Sequence, residues 1–128
     1  MRETAQAGKV IKELRKYPKT FVINIAGGMF QQAGLPDSLI IHDGIHIFVE
    51  FKGPDTAIEP LQLRIKQLLT LAGANAFIVR FNKPKQWTVE GICTITFDEF
   101  EHGVKSLLEV LIKLTKGANV IFTDSAKS

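Results

Sequence analysis

Asp37, Glu50 and Lys52 are the residues of this 128-residue chain whose types and spacing suit chemistry. Glu50 and Lys52 stand two apart in the mostly apolar run IHIFVEFK, residues 45–52. In a strand, side chains alternate between faces, so Glu50 and Lys52 share one face while Val49 and Phe51 share the other. Asp43 and Gly44 directly before the run form a two-residue hairpin signal, with SLIIHD as the partner strand. A turn centred between them pairs Asp37 with Glu50 across the hairpin. Two carboxylates side by side repel unless a cation intervenes. A hard divalent ion such as Mg²⁺ takes one or two carboxylates and leaves its other positions for water and substrate phosphate. A lysine beside such an ion orients or deprotonates water and offsets developing negative charge, a combination suited to hydrolysing a phosphodiester. The competing reading of a bare E-x-K triplet is a structural ion pair at a sheet edge. Pro36-Asp37 at hairpin distance, within an αβββαβ order of elements, favours the site.

The elements that must position these residues are legible in the hydrophobic pattern. Val10, Ile11 and Leu14 recur at helical spacing from Glu3 to Tyr17, and Pro18 stops the run. TFVINIA, 20–26, reads as a strand ending at the Gly27-Gly28 turn, followed by the two hairpin strands. Pro60 opens a helix through LQLRIKQLLTLAG, with Leu61, Ile65, Leu68, Leu69 and Ala72 as its apolar stripe and Gly73 as its C-terminal cap. AFIVRF, 76–81, and CTITF, 93–97, read as strands joined by the connection NKPKQWTVEGI. A last helix runs from Glu99 to about Lys116, with Asp98 in place to cap it. Its stripe, Phe100, Val104, Leu107, Leu108, Leu111 and Leu114, serves core packing or a dimer interface. The tail offers an edge strand at VIF, 120–122. A hairpin followed by a strand-helix-strand crossover makes an α/β protein with a mixed sheet of about five strands in αβββαβ order, flanked by helices, plus a C-terminal strand and helix.

Composition bounds the rest. One domain over 1–128 is the expectation for this length, and 45% hydrophobic with 23% charged residues suits a folded chain. No stretch reaches the ~18–20 apolar residues of a membrane span, and the N-terminus has no signal-peptide centre, so the expectation is a cytoplasmic protein with no membrane partner. Cys93 is the sole cysteine and reads as an inert strand thiol. The net charge of +3 is patchy. Lys9, Lys12, Arg15, Lys16 and Lys19 crowd the first segment, and Arg80, Lys83 and Lys85 surround a later turn with the sole tryptophan, Trp87. Lys9, Lys12, Lys16, Arg80, Lys83 and Lys85 are candidate phosphate contacts, with Trp87 available to stack on an unpaired base. The alternatives are a solvated helix face and a solvated turn with Trp87 packed onto the sheet. His42 and His46 flank the hairpin turn and read as strand residues rather than ligands. Gly27-Gly28 lacks the following G-K-[ST] of a nucleotide-binding loop.

GLPD at 34–37, VEFK at 49–52 and IEPLQ at 58–62 together resemble the signature of the virus-type replication-repair nuclease (VRR-Nuc) family of the PD-(D/E)XK nuclease superfamily, over roughly Glu3 to Phe81. The resemblance implies that Asp37, Glu50 and the backbone carbonyl of Phe51 bind Mg²⁺ or Mn²⁺ and that Lys52 is the catalytic lysine. It implies that Gln62 positions the lysine or the scissile phosphate. It also implies that an acid early in the first helix, Glu3 or less favourably Glu13, completes the site through metal-bound water. A favourable charge at a helix N-terminus is the other reading of Glu3. The activity implied is a metal-dependent, structure-selective DNA endonuclease acting on branched DNA, with a homodimer suited to a two-fold symmetric four-way (Holliday) junction. A bacterial or phage-infected cell is the implied setting. A non-cleaving DNA-binding accessory protein and a sequence-specific restriction-type nuclease are the rival functions.

Overall fold

A computed structural model describes residues 3–25 and 33–127 in backbone, with side chains over 5–25 and 33–115. Gly27 and Gly28 lie outside the described residues, as does the side chain of Glu3. The elements follow in the order α1 (Glu3–Leu14), β1 (Thr20–Asn24), β2 (Ser38–His42), β3 (Ile45–Lys52), α2 (Pro60–Leu71), β4 (Asn75–Lys83), β5 (Gln86–Val89), β6 (Cys93–Thr96) and α3 (Phe100–Lys127). The strands form one sheet in sequential order, β1 to β6. The β1–β2, β2–β3, β4–β5 and β5–β6 pairs are antiparallel. The β3–β4 pair is parallel, because α2 carries the chain back to the starting end of the sheet between them.

The β2–β3 hairpin turns on Asp43 and Gly44, with φ of 48° and 84°, the doubly left-handed geometry of a type I′ turn. The resulting register pairs Ser38 with Val49 and His42 with Ile45. It therefore sets Asp37, one residue before β2, opposite Glu50 as the turn chemistry predicts.

The sheet has one more strand than the sequence pattern suggests. The connection after β4 turns back on itself as β5, with Trp87 and Val89 buried and Gln86 and Thr88 half-buried between them. That short alternation is interrupted in sequence by Pro84 and flanking lysines, so it reads as loop. The expected edge strand at 120–122 is corrected too, since α3 continues through those residues to Lys127. β-branched Val120 and Ile121 favour a strand only where a neighbouring strand pairs with them, whereas extending an existing helix needs no new nucleation.

Alternation divides the sheet into two unlike faces. Val22, Ile40, Ile47, Val49, Phe51, Val79, Phe81, Trp87 and Val89 point to one side, where Val10, Ile11 and Leu14 of α1 and Val104, Leu107, Leu108 and Leu111 of α3 seal them into the core. Within the described residues the apolar stripe of α3 is thus core, not a dimer surface. The other side carries Glu50 and Lys52 and is covered by α2, no residue of which is buried.

Candidate active site

Three local devices deliver the site. The first is the strand end itself, which holds Glu50 at 7% and Lys52 at 4% exposure, both nearly removed from water. Lys52 Nζ lies 3.9 Å from Glu50 Oε2, close enough for attraction but too long for a hydrogen bond. Among the described residues no hydrogen bond to Lys52 Nζ is formed. A buried ammonium held only at this distance is poor structural cement, because burial of charge costs more than such a contact returns. The geometry argues against reading the E-x-K triplet as a mere structural pair.

The second device is the segment before β2. Gly34 has a φ of 86°, and a β-carbon there would stand 2.7 Å from Leu61 Cγ and 3.0 Å from Ile65 Cγ1. Only glycine allows this left-handed turn to lie against the first turns of α2. Asp37 follows, and its Oδ2 accepts a 2.8 Å hydrogen bond from the backbone N–H of Phe51, fastening β2's entrance to the strand that carries Glu50 and Lys52.

The third device is the start of α2. Glu59 is its N-cap and Pro60 its first residue, where a missing N–H costs nothing. Gln62 Oε1 accepts from the Glu59 N–H at 3.1 Å, and its Nε2 donates to Glu50 Oε2 at 3.0 Å. Both ends of the amide are engaged, so Gln62 orients the Glu50 carboxylate by bracing it against a helix terminus. Lys66, one turn on, lines the same narrow cavity beside Glu50 together with Gly34, Pro36 and Gln62. The sequence reading passed over Lys66, although its i+4 spacing from Gln62 is the signal that puts it there. That cavity, about 10 Å³, is of single-water size and excludes a nucleotide.

The structure brings Asp37, Glu50, Lys52 and Gln62 together and leaves other candidates outside. Glu13 is paired with Lys16 at 3.1 Å. It also neighbours Tyr17, whose phenol is pushed above its ordinary value by burial and then by Glu13, Glu109 and Glu101. Among the described residues no third acidic, histidine or cysteine side chain joins Asp37 and Glu50 in a metal-holding group. His42 Nδ1 meets Thr20 Oγ1 of β1 at 2.7 Å, and His46 Nδ1 meets the Gly44 carbonyl, so one ties β2 to β1 and the other serves the hairpin turn. Cys93 is half-buried against the core.

Two of the expected DNA contacts are corrected. Trp87 is fully buried and packs against Phe81, Phe97 and Phe100, so it cannot stack on a base. Arg80 is half-buried, paired with Glu90, and donates from Nη1 at 2.7 Å to the carbonyls of both Gly53 and Thr56. Its guanidinium is thereby committed to clamping the loop that follows Lys52. Neither role has a signature in the local pattern, because both partners come from distant segments. Lys9 and Lys12 are exposed on α1, Lys16 is exposed in the turn after it, and Lys83 and Lys85 are exposed about the β4–β5 turn.

The fold is that of the PD-(D/E)XK nucleases. The chain is similar to a solved VRR_NUC domain, which matches it with a TM-score of 0.53 and 27% identity, over 64% of this chain and 88% of that one. A Holliday junction resolvase, Hjc of Archaeoglobus fulgidus, shares the fold with a TM-score of 0.50 and 16% identity, over 74% of this chain and 85% of the resolvase. No protein-family model and no curated protein matches the sequence.

Proposed function

We propose that this chain is a metal-dependent, structure-selective DNA endonuclease that hydrolyses phosphodiester bonds and, as a homodimer, resolves four-way junctions. The observation that carries the reading is Lys52, an almost fully buried ammonium 3.9 Å from Glu50 and opposite the Asp37 segment. The nuclease-fold neighbours, one of them a Holliday junction resolvase, support the substrate class.

The donor set fits a hard divalent ion. Asp37 and Glu50 are carboxylates facing each other across the hairpin register, and the Phe51 carbonyl adds a third oxygen from the same strand end. Two carboxylates and a backbone carbonyl suit Mg²⁺ or Mn²⁺, which keep water and substrate phosphate in their remaining positions. When bound, such an ion supplies Lewis acidity towards the phosphoryl oxygen and makes water more acidic. The chain's own residues do the remaining work. Gln62 fixes the direction of the Glu50 carboxylate, and Asp37 ties β2 to the Phe51 backbone. Lys52, with its ammonium hydrogens uncommitted among the described residues, aligns the attacking water and meets negative charge as it develops on the phosphate.

The homodimer reading draws on α2 and β1, where Leu61, Leu63, Leu68, Leu71, Phe21 and Ile23 are all at least 40% exposed. A second copy covering part of this surface would set two sites around a two-fold substrate.

The deciding experiment is cleavage of labelled four-way junction, splayed-arm, flap and linear duplex DNA in Mg²⁺, Mn²⁺ or EDTA. Cutting is expected only with metal, with the junction preferred, and Lys52→Ala is expected to slow it by about 10²–10³-fold. Binding without cutting under every metal condition would replace this reading with a DNA-binding accessory protein. A species that is monomeric by light scattering at working concentration and still cuts junctions symmetrically would remove the dimer.

A further inference from the structure

A cavity suited to a ligand lies away from Glu50, on the side of the sheet that α1 and α3 cover. It has a volume of about 430 Å³ and is lined by Gln6 and Lys9 of α1, Pro54 of the loop, Asn82 and Lys83 of β4, and Phe100 at the start of α3. That volume falls in the ordinary range for small-molecule and nucleotide pockets.

Its chemistry is mixed in a particular way. Pro54 and Phe100 give apolar surface, and the Phe100 ring is set edge-on against buried Trp87 with centroids 5.8 Å apart. Lys9 and Lys83 are exposed and have no ion-pair partner among the described residues, so two cations overlook the cavity. Gln6 and Asn82 add amide groups, and the Asn82 amide is held by Thr88 across the β4–β5 hairpin. Apolar walls, amides and flanking ammonium groups match a nucleobase with phosphates on either side.

The position relates the cavity to the candidate site. Pro54 is two residues beyond Lys52, hence within about 7.6 Å of it from Cα to Cα. Arg80 holds the intervening loop by its bonds to Gly53 and Thr56. DNA rises roughly 3.4 Å per nucleotide along one strand, so a strand that passes Lys52 and rounds the sheet edge at Pro54 reaches the cavity within a few nucleotides.

We propose that this cavity receives one unpaired nucleotide of the substrate strand, a few positions from the scissile phosphate. Its base lies against Phe100 and Pro54, and its neighbouring phosphates meet Lys9 and Lys83. The proposal rests on the nuclease reading for its register, and its test separates the two. It also moves the base contact expected of Trp87 to Phe100, the ring that Trp87 supports from below.

The test is equilibrium binding by the full-length protein in EDTA to splayed-arm DNA carrying a single abasic site at successive positions of the unpaired arm. One position is expected to lose affinity by about 5- to 100-fold, the span of one base-aromatic stack, and the others by less than about twofold. Phe100→Ala, and separately the exposed pair Lys9→Glu with Lys83→Glu, are expected to bind intact DNA more weakly and to flatten this profile. Far-ultraviolet circular dichroism verifies that each variant is folded. A profile with no preferred position overturns the proposal, as does a preferred position that survives unchanged in the folded lysine variant. A sharp profile in a protein that never cuts with Mg²⁺ or Mn²⁺ would reject the nuclease and retain the nucleotide cavity.

Discussion

The helices on the two sides of the sheet bear similar apolar stripes in sequence and have opposite fates. On α3, Gly103, Val104, Leu107, Leu108 and Leu111 are buried. On α2, no residue is buried and Leu71 is 82% exposed. The difference follows from what each helix meets. α3 lies with α1 over a face of branched and aromatic side chains, closed further by the Trp87, Phe97 and Phe100 rings. α2 lies over a face that mixes an acid, a lysine and an arginine with buried Ala76 and Ile78, and Gln62 and the Gly34 contact help to attach it. Stability is concentrated on one side of the sheet and the candidate chemistry on the other.

Truncations on the two helices test this division most strongly. Leu107→Ala is expected to destabilise the protein by about 2–5 kcal/mol in chemical denaturation, the usual cost of emptying a sealed core site. Leu71→Ala is expected to change it by less than about 0.5 kcal/mol. Equal losses would mean that α2 is as firmly packed as α3.

The two crowded glycines sharpen the contrast. A β-carbon at Gly103 would stand 2.7 Å from the Phe97 ring, so Gly103→Ala is expected to lower stability by about 1–3 kcal/mol although alanine is the better helix former. Gly34→Ala meets both a positive φ and α2, and its larger effect is expected on cleavage rate, through the displaced Asp37 segment. A Gly34→Ala protein that keeps full activity would show that the 34–37 turn does not hold the site.

Gln62→Ala removes one hydrogen bond to a carboxylate and leaves the core alone. Cleavage is expected to fall about tenfold, with a shift of the denaturation midpoint no larger than that of a surface substitution. Restoration of activity by Gln62→Glu would argue against the amide as the brace, because a second acid beside Glu50 reverses the electrostatics.

The smallest effect concerns Tyr17, the only tyrosine, on the α1–α3 side. Burial first, then Glu13, Glu109 and Glu101, raise its pKa above the ordinary 10.0. The folded state therefore holds the phenolic proton more tightly than the unfolded chain does. The contribution is complete below pH 10 and declines as pH rises through the folded-state value. The phenolate absorbance of the folded protein should titrate above pH 10, and Glu13→Gln should bring its midpoint down.

Much of the candidate site was legible because it depends on local rules. Asp43 and Gly44 specify a two-residue turn by their tolerance of positive φ, the turn sets the register, and strand alternation then puts Glu50 and Lys52 on one face with Asp37 opposite. Gly73 ends α2 with a φ of 94°, again a single-residue property. What resisted sequence reading was set by partners distant in the chain. Arg80 looks like a phosphate contact until Gly53, Thr56 and Glu90 occupy its guanidinium. Trp87 looks available to a base until α3 closes over it, and the leucines of α2 look buried until the helix settles on the sheet with none of its residues fully covered. Sequence determines backbone geometry and side-chain periodicity through steric preferences acting over a few residues. Burial, the direction of a bridging amide such as Gln62, and the choice of which aromatic ring reaches a cavity depend on surfaces that exist only once the sheet and helices have packed.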